Sequence, residues 1–260
     1  MNIRDENVLR ELNLYPLWVR RAAPVAGGAE TTTSVEEVQS VSEVPVEPAG
    51  RLGGGEADTQ QSAMGIVALN PSYVSSLGWN ELKQTVHDCT ACKLRAGCTQ
   101  TVFGVGDENA DWLFVGEGPG ADEDVQGEPF VGQAGKLLDN MLAAIRLKRG
   151  DNVYIANIVK CRPPNNRTPE ADEIATCLPY LRQQVALIKP RLIVALGKTA
   201  ATSLLGRDAT LGSLRGTMHD FEGTPLLVTY HPAYLLRSPA EKAKAWQDLC
   251  TAAQLMSQRD

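Results

Sequence analysis

From about residue 76 onward the chain alternates short apolar runs with amphipathic stretches, and this alternation constrains the fold more than any other feature. WNELKQTVHD has helical periodicity and leads into CTACKLRAGC. Then come the apolar run DWLFVG, a glycine-rich loop, the helical AGKLLDNMLAAIR, the run NVYIANI and a proline-rich loop. The helical TPEADEIATCLPYLRQQVALI follows, with Thr168 its expected N-cap and Pro169 in its first turn. The rest reads as strand RLIVAL, helix GKTAATSLL, hairpin strand PLLVTY and a final helix in SPAEKAKAWQDLCTAAQLM. Strands separated by helices form βαβ units, so the expected class is α/β with a mostly parallel sheet. Such sheets bind ligands beyond the carboxyl ends of their strands. Three loops that follow apolar strands carry unusual chemistry: Gly116 to Gly120, Asn157 to Arg167, and His231-Pro232. They are expected to converge on one site.

The N-terminal part reads differently. No aromatic residue occurs between Trp18 and Tyr73, and the stretch is rich in Glu, Ser, Thr, Gly and Pro. Such a segment buries too little apolar surface to offset its ordering entropy, so residues 24–75 are expected to be a disordered acidic linker and residues 76–260 the folded domain. Residues 1–23 hold a short hydrophobic patch with Leu9, Leu12, Leu14, Tyr15, Leu17 and Trp18, and residues 9–21 are the candidate docking element for a protein partner. The formal net charge of -6 disfavours a polyanionic partner on its face. Residues 1–75 carry 5 basic and 10 acidic side chains, however, leaving 20 and 21 for the remainder, which is nearly neutral and can present a local basic face. No run approaches the roughly 18 apolar residues of a membrane helix, and the N-terminus lacks signal-peptide order. A cytoplasmic, monomeric protein is expected.

The six cysteines of a long intracellular chain point to metal or cluster ligation rather than a disulfide framework. Cys89 and Cys92 form C-x2-C, Cys161 and Cys177 form C-x15-C, and four thiolates brought together can hold zinc or an iron–sulfur cluster. Cys98 competes for a place in the set, and Cys250 reads as a core residue of the last helix.

Four features taken together resemble the family 4 uracil-DNA glycosylases, which carry an iron–sulfur cluster: GEGPGADEDVQGEPFVGQAGKLL at 116–138, NIVKCRPPNNRTP at 157–169, HPAYLLR at 231–237 and the four cysteines. The resemblance runs from about residue 76 to 256 and omits the N-terminal 75. It implies a three-layer αβα sandwich, uracil-containing DNA, single- or double-stranded, as substrate, and a 4Fe–4S cluster on Cys89, Cys92, Cys161 and Cys177. The segment LLGRDATLGSLRG lacks the basic, histidine-containing insertion of a related group that stays attached to DNA, so turnover is expected.

A glycosylase must flip a nucleotide from the stack and break an N-glycosidic bond through an oxocarbenium-like transition state with a departing uracil anion. The resemblance places Phe130 as the stacking aromatic and Asn157 as the amide that reads the base edge. An amide accepts from N3–H and donates to O4 of uracil, whereas cytosine reverses that polarity. His231 is placed to stabilise the anion at O2. Glu117 and Glu123, with Asp124 nearby, supply carboxylates that orient water or support the cation. The backbone of Gly118, beside Gly120, is the candidate contact to substrate or phosphate. Lys160, Arg162, Arg167 and Arg237 lie on the same loops and are expected to meet phosphates, with Leu235 and Leu236 as a wedge for the vacated stack. Two other readings remain: a DNA-binding module that does no chemistry, and a nucleotide-binding zinc protein, against which the GEGPG loop lacks a Gly-Lys-Ser/Thr ending.

Overall fold

The computed structural model describes residues 71–258. The expected peptide at 1–23 and most of the expected linker lie outside these residues. Helical structure is already present ahead of the expected domain start at residue 76: α1 (Pro71–Val74) and α2 (Trp79–His87) pack Val74, Leu77, Leu82 and Val86 into the core. The amide of Gln183 donates to the Leu77 carbonyl at 2.6 Å and fastens this start to the body.

Six strands form one sheet in the order β1-β3-β2-β4-β6-β5, comprising β1 (Val105–Gly106), β2 (Trp112–Gly116), β3 (Val153–Asn157), β4 (Leu192–Leu196), β5 (Met218–Phe221) and β6 (Thr224–Thr229). The four central strands are parallel, and the two edge strands are antiparallel to their neighbours. The mostly parallel sheet is as expected, and β5 is the hairpin partner of PLLVTY. The two-residue β1 carries no periodicity for a sequence reading to detect.

Every residue of β2, β3 and β4 is buried, because both faces of the sheet are covered. Strand alternation divides these residues between two cores. Leu113, Val115, Tyr154, Ala156, Ile193 and Ala195 face the layer of α2, α5 (Ala171–Ile188) and α6 (Lys198–Leu205). Trp112, Phe114, Val153, Ile155, Leu192 and Val194 face α4 (Gln133–Ala144) and α9 (Lys242–Ser257). The result is a three-layer αβα sandwich. Short helices complete the chain: α3 (Ala121–Gln126), α7 (Leu211–Leu214) and α8 (Pro232–Arg237).

One capping expectation is corrected. The N-cap of α5 is Glu170, not Thr168, because Glu173 reaches back to the Glu170 amide at 2.7 Å and satisfies it there.

The chain runs from β2 outward to β3 and then returns to the other side of β2 for β4. Strand order reverses at that point, so the loops after β2 and β4 diverge and open a crevice at the carboxyl edge of the sheet.

Candidate active site and cysteine cavity

A cavity of about 490 Å³ occupies this crevice. The three expected loops all line it, through Glu117, Gly118, Gly120 and Glu123, through Asn157, Asn166 and Arg167, and through His231 and Arg237. A fourth loop, missed from the sequence, adds Gly197, Lys198 and Thr199 after β4. The strand-end rule applied to RLIVAL would have found it. Gly197 has φ +92°, and a Cβ there would lie 2.9 Å from the Cβ of His231, so only glycine lets β4 turn so close beneath the histidine.

At the floor of the cavity, Asn157 ends β3 directly opposite Gly116 at the end of β2. Its side chain is 2% exposed, and its Oδ1 is buried without a hydrogen-bond partner. An unsatisfied buried acceptor costs on the order of 1–3 kcal/mol, a cost that a donor on a ligand would remove. A Cβ on Gly116 would collide with that Oδ1 and with the ring of Phe130, so the glycine is what lets both side chains meet at the strand end. Phe130 is buried with φ +57°, and its ring lies 5.4 Å from the His231 ring at an interplanar angle of 30°.

His231 caps α8. Its Nδ1 accepts the Ala233 amide at 3.1 Å, which leaves Nε2 to carry the ring proton. The ring keeps some access through the cavity, yet protein surrounds it. That desolvation, with a smaller contribution from Arg237, lowers its pKa to about 4. The imidazole is therefore neutral at pH 7 and presents an N–H.

The carboxylates divide by partner. Glu123 accepts the amides of Gly120, Val131 and Gly132 at 3.1, 3.0 and 3.2 Å and so joins the loop after β2 to the start of α4. Asp124 turns away into the fold and accepts from the amide and hydroxyl of Thr99, both at 2.9 Å. Glu117 lines the cavity, and its carboxylate makes no hydrogen bond or ion pair among the described residues. Of the three, Glu117 is the one uncommitted to holding the fold.

The basic residues also separate. Lys160 does not reach a phosphate-facing surface: it is fully buried, and its ammonium donates to the Asn157 carbonyl at 3.0 Å and to Gln184 Oε1 at 2.6 Å. Burial lowers its pKa to about 8. Arg167 borders the cavity but forms a two-pronged ion pair with buried Glu173, at 2.8 and 2.7 Å, which commits the face of its guanidinium to the fold. This hydrogen-bonded pairing holds the Glu173 carboxyl below its ordinary range. Arg162 donates to Asn166 at 2.7 Å and does not line the cavity. Arg237 is exposed at the cavity mouth. The leucine pair splits, Leu235 being core at 1% exposure and Leu236 standing out at 45%.

Cys89, Cys92, Cys161 and Cys177 all border a second, small cavity whose other walls include Val86, Leu94, Val159 and Tyr180. None is in a disulfide. Cys98 is not among its lining residues. Burial pushes the thiols of Cys92, Cys161 and Cys177 upward, and the Lys160 amide donates to Cys177 Sγ at 3.3 Å. Among the described residues no group of three or more His, Cys, Asp or Glu side chains is placed to hold a metal ion as the side chains stand. Four soft thiols on one apolar cavity nevertheless have the donor chemistry that an iron–sulfur cluster uses.

Residues 103–250 match the uracil DNA glycosylase superfamily. A type-4 uracil-DNA glycosylase of Pyrobaculum aerophilum is 44% identical over 177 residues, covering 65% of this chain and 90% of that protein. The chain belongs to the type-4 branch of that superfamily. A type-4 uracil-DNA glycosylase of Thermotoga maritima is 44% identical over 63% of this chain and 85% of its own length, and one of Archaeoglobus fulgidus is 43% identical over 62% and 84%. The type-4 membership accords with the resemblance seen in the motifs at 116–138, 157–169 and 231–237. No helix among the described residues is long and apolar enough to cross a membrane.

Proposed function

We infer that this chain is a uracil-DNA glycosylase of DNA repair, hydrolysing the N-glycosidic bond of uracil in DNA to release the free base and leave an abasic site. The observation that carries this reading is the orphaned Oδ1 of Asn157, buried at the cavity floor beside Phe130 and beneath a neutral histidine. A flipped uracil satisfies that acceptor with N3–H and takes the amide N–H at O4, while its face stacks on Phe130. Cytosine offers no N3–H, so its entry leaves the acceptor unpaired.

As the bond to C1′ lengthens, negative charge grows on the uracil, and the His231 Nε2–H donates to O2, where the interaction strengthens with charge. The amide of Gly118 contributes from the loop after β2. Glu117 faces the sugar side, where it orients the attacking water and offsets the cationic C1′. Glu123 acts as a positioning group for the loops that carry Glu117 and Phe130. Arg237 meets phosphate at the mouth, and Arg162 and the outer edge of Arg167 meet it further along the strand. Leu236 fills the vacated stack. The amine on the cavity wall, Lys198 Nζ, is paired with Asp208 at 3.0 Å rather than offered as a nucleophile, and the enzyme is monofunctional.

Cys89, Cys92, Cys161 and Cys177 would hold the 4Fe–4S cluster, which when bound supplies a cross-link between chain segments rather than bond-breaking chemistry. Cys161 and Cys177 flank the loop of Arg162 and Arg167, so ligation fixes that loop against α5. Purified protein is expected to carry iron and acid-labile sulfide in equal amounts. Cys177→Ala is expected to lose both along with the visible absorption of the cluster, and full retention of iron in this variant would exclude the assignment. The enzyme acts as a cytoplasmic monomer, with residues 9–21 docking a protein partner.

The test is release from a labelled oligonucleotide with a single uracil, with and without alkali, beside a thymine control. Strand cleavage only after alkali and only at uracil is expected. Absence of cleavage by protein with a full cluster would favour a binding module. With Leu236→Ala, duplex activity is expected to fall about tenfold while activity on single strands holds within about twofold, because only the duplex has a stack to fill. Equal losses on both substrates would remove the wedge role.

A further inference from the structure

The proposed stacking ring is held by backbone that is costly to form. Phe130 sits at φ +57°, a left-handed conformation that bulky residues rarely adopt and that persists only where surroundings impose it. Glu123 secures the residues just after it, through the amides of Val131 and Gly132. What secures Phe130 itself is Arg149, on the loop between α4 and β3. Its Nη1 donates to the Pro129 carbonyl and its Nη2 to the Phe130 carbonyl, both at 2.8 Å, while its Nε donates to Asp139 Oδ1 at 3.0 Å. The guanidinium is largely covered, at 22% exposure, whereas Asp139 is half exposed. Carbonyls of residues in a left-handed turn have no helix or strand partner, and a fork of two parallel N–H groups matches two successive carbonyls in a way a single ammonium cannot.

We infer that Arg149 is a positioning residue for base recognition: it holds the 129–130 turn so that the Phe130 ring lies against His231 and over the end of β2. This rests on the reading of Phe130 as the base-stacking ring. Arg149 lines no part of the cavity and touches no substrate, so it acts wholly through the turn. Asp139 holds the guanidinium's outer edge and contributes less.

The experiment compares Arg149→Ala, Arg149→Lys and Asp139→Asn with the wild type in the cluster-loaded protein. Arg149→Ala is expected to lower kcat/KM for uracil release about thirtyfold and to weaken inhibition by free uracil by a similar factor, from loss of the two charge-assisted hydrogen bonds to the turn carbonyls. Arg149→Lys is expected to recover part of this, and Asp139→Asn to stay within about twofold. Millimolar guanidinium added to Arg149→Ala is expected to restore activity severalfold, which a global loss of stability would not produce. Amide exchange across residues 127–135 is read in the same proteins without substrate and is expected to quicken at least about tenfold in Arg149→Ala alone. Unchanged exchange there, or loss of activity that follows melting temperature with no guanidinium rescue, would overturn the inference. If the wild type released no uracil, the function would fall while the exchange measurement still judged the turn.

Discussion

Replacing Asn157 with aspartate lowers the single-turnover rate of uracil release by about a thousandfold, the scale expected when a buried polar contact to the reacting base is broken and a like charge set beside it. The carboxylate still accepts from N3–H, so the base can enter. It loses the amide donor to O4, however, and places negative charge against a leaving group that becomes an anion. The site offers little relief, because Asn157 is 2% exposed and Gly116 and Phe130 close over it. The measurement is the single-turnover rate on a single-stranded oligonucleotide, with thermal unfolding as a control. A rate within threefold of wild type would show that the base is read elsewhere.

His231→Ala costs a few hundredfold in the same rate, about 3–4 kcal/mol, the scale of a preorganised donor to a developing oxyanion. Because the donor is a neutral imidazole, the wild-type rate is level from about pH 5.5 to 8 and shows no step near the ordinary histidine value. The sign follows from the shift. The folded-state pKa is about 4 against 6.5 for a free imidazole, so the unfolded chain takes up the proton first. This contribution to stability is full above about pH 6.5 and is lost progressively as the pH falls toward 4. A rate that rose on acidification through pH 6.5 would mean an imidazolium donor and would contradict the Nδ1 contact to the Ala233 amide.

Both predictions rest on side chains visible in the sequence as residues after apolar strands. Ligand chemistry collects at strand ends, and strand ends are readable because buried parallel strands are short uninterrupted apolar runs: WLFVG before Glu117, VYIA before Asn157 and PLLVT before His231. The α/β class, the mostly parallel sheet and the convergence of the three loops follow from that periodicity. The helices are likewise legible in their apolar spacing.

Partner choice is what the sequence could not reveal. Glu117, Glu123 and Asp124 are three carboxylates on one loop, yet one faces the cavity, one ties three amides and one holds Thr99. Lys160 and Arg162 stand two residues apart in one motif, yet Lys160 is buried because α5 brings the Gln184 acceptor to its ammonium, whereas Arg162 stays on the loop with Asn166. Arg167 reads as a phosphate ligand until the fold brings buried Glu173 to it. Leu235 and Leu236 look equivalent until α8 turns one toward the core and the other to solvent. Arg149, far from every motif, gained its role only when α4 and β3 carried its loop to the Phe130 carbonyl. The sequence by itself determined the layers, the strand ends and the chemical types gathered there, since these depend on local periodicity and residue identity. Which carboxylate is uncommitted, which cation is buried and which proton the histidine keeps were decided by tertiary structure, because each depends on hydrogen-bond partners and desolvation supplied by residues distant in the chain.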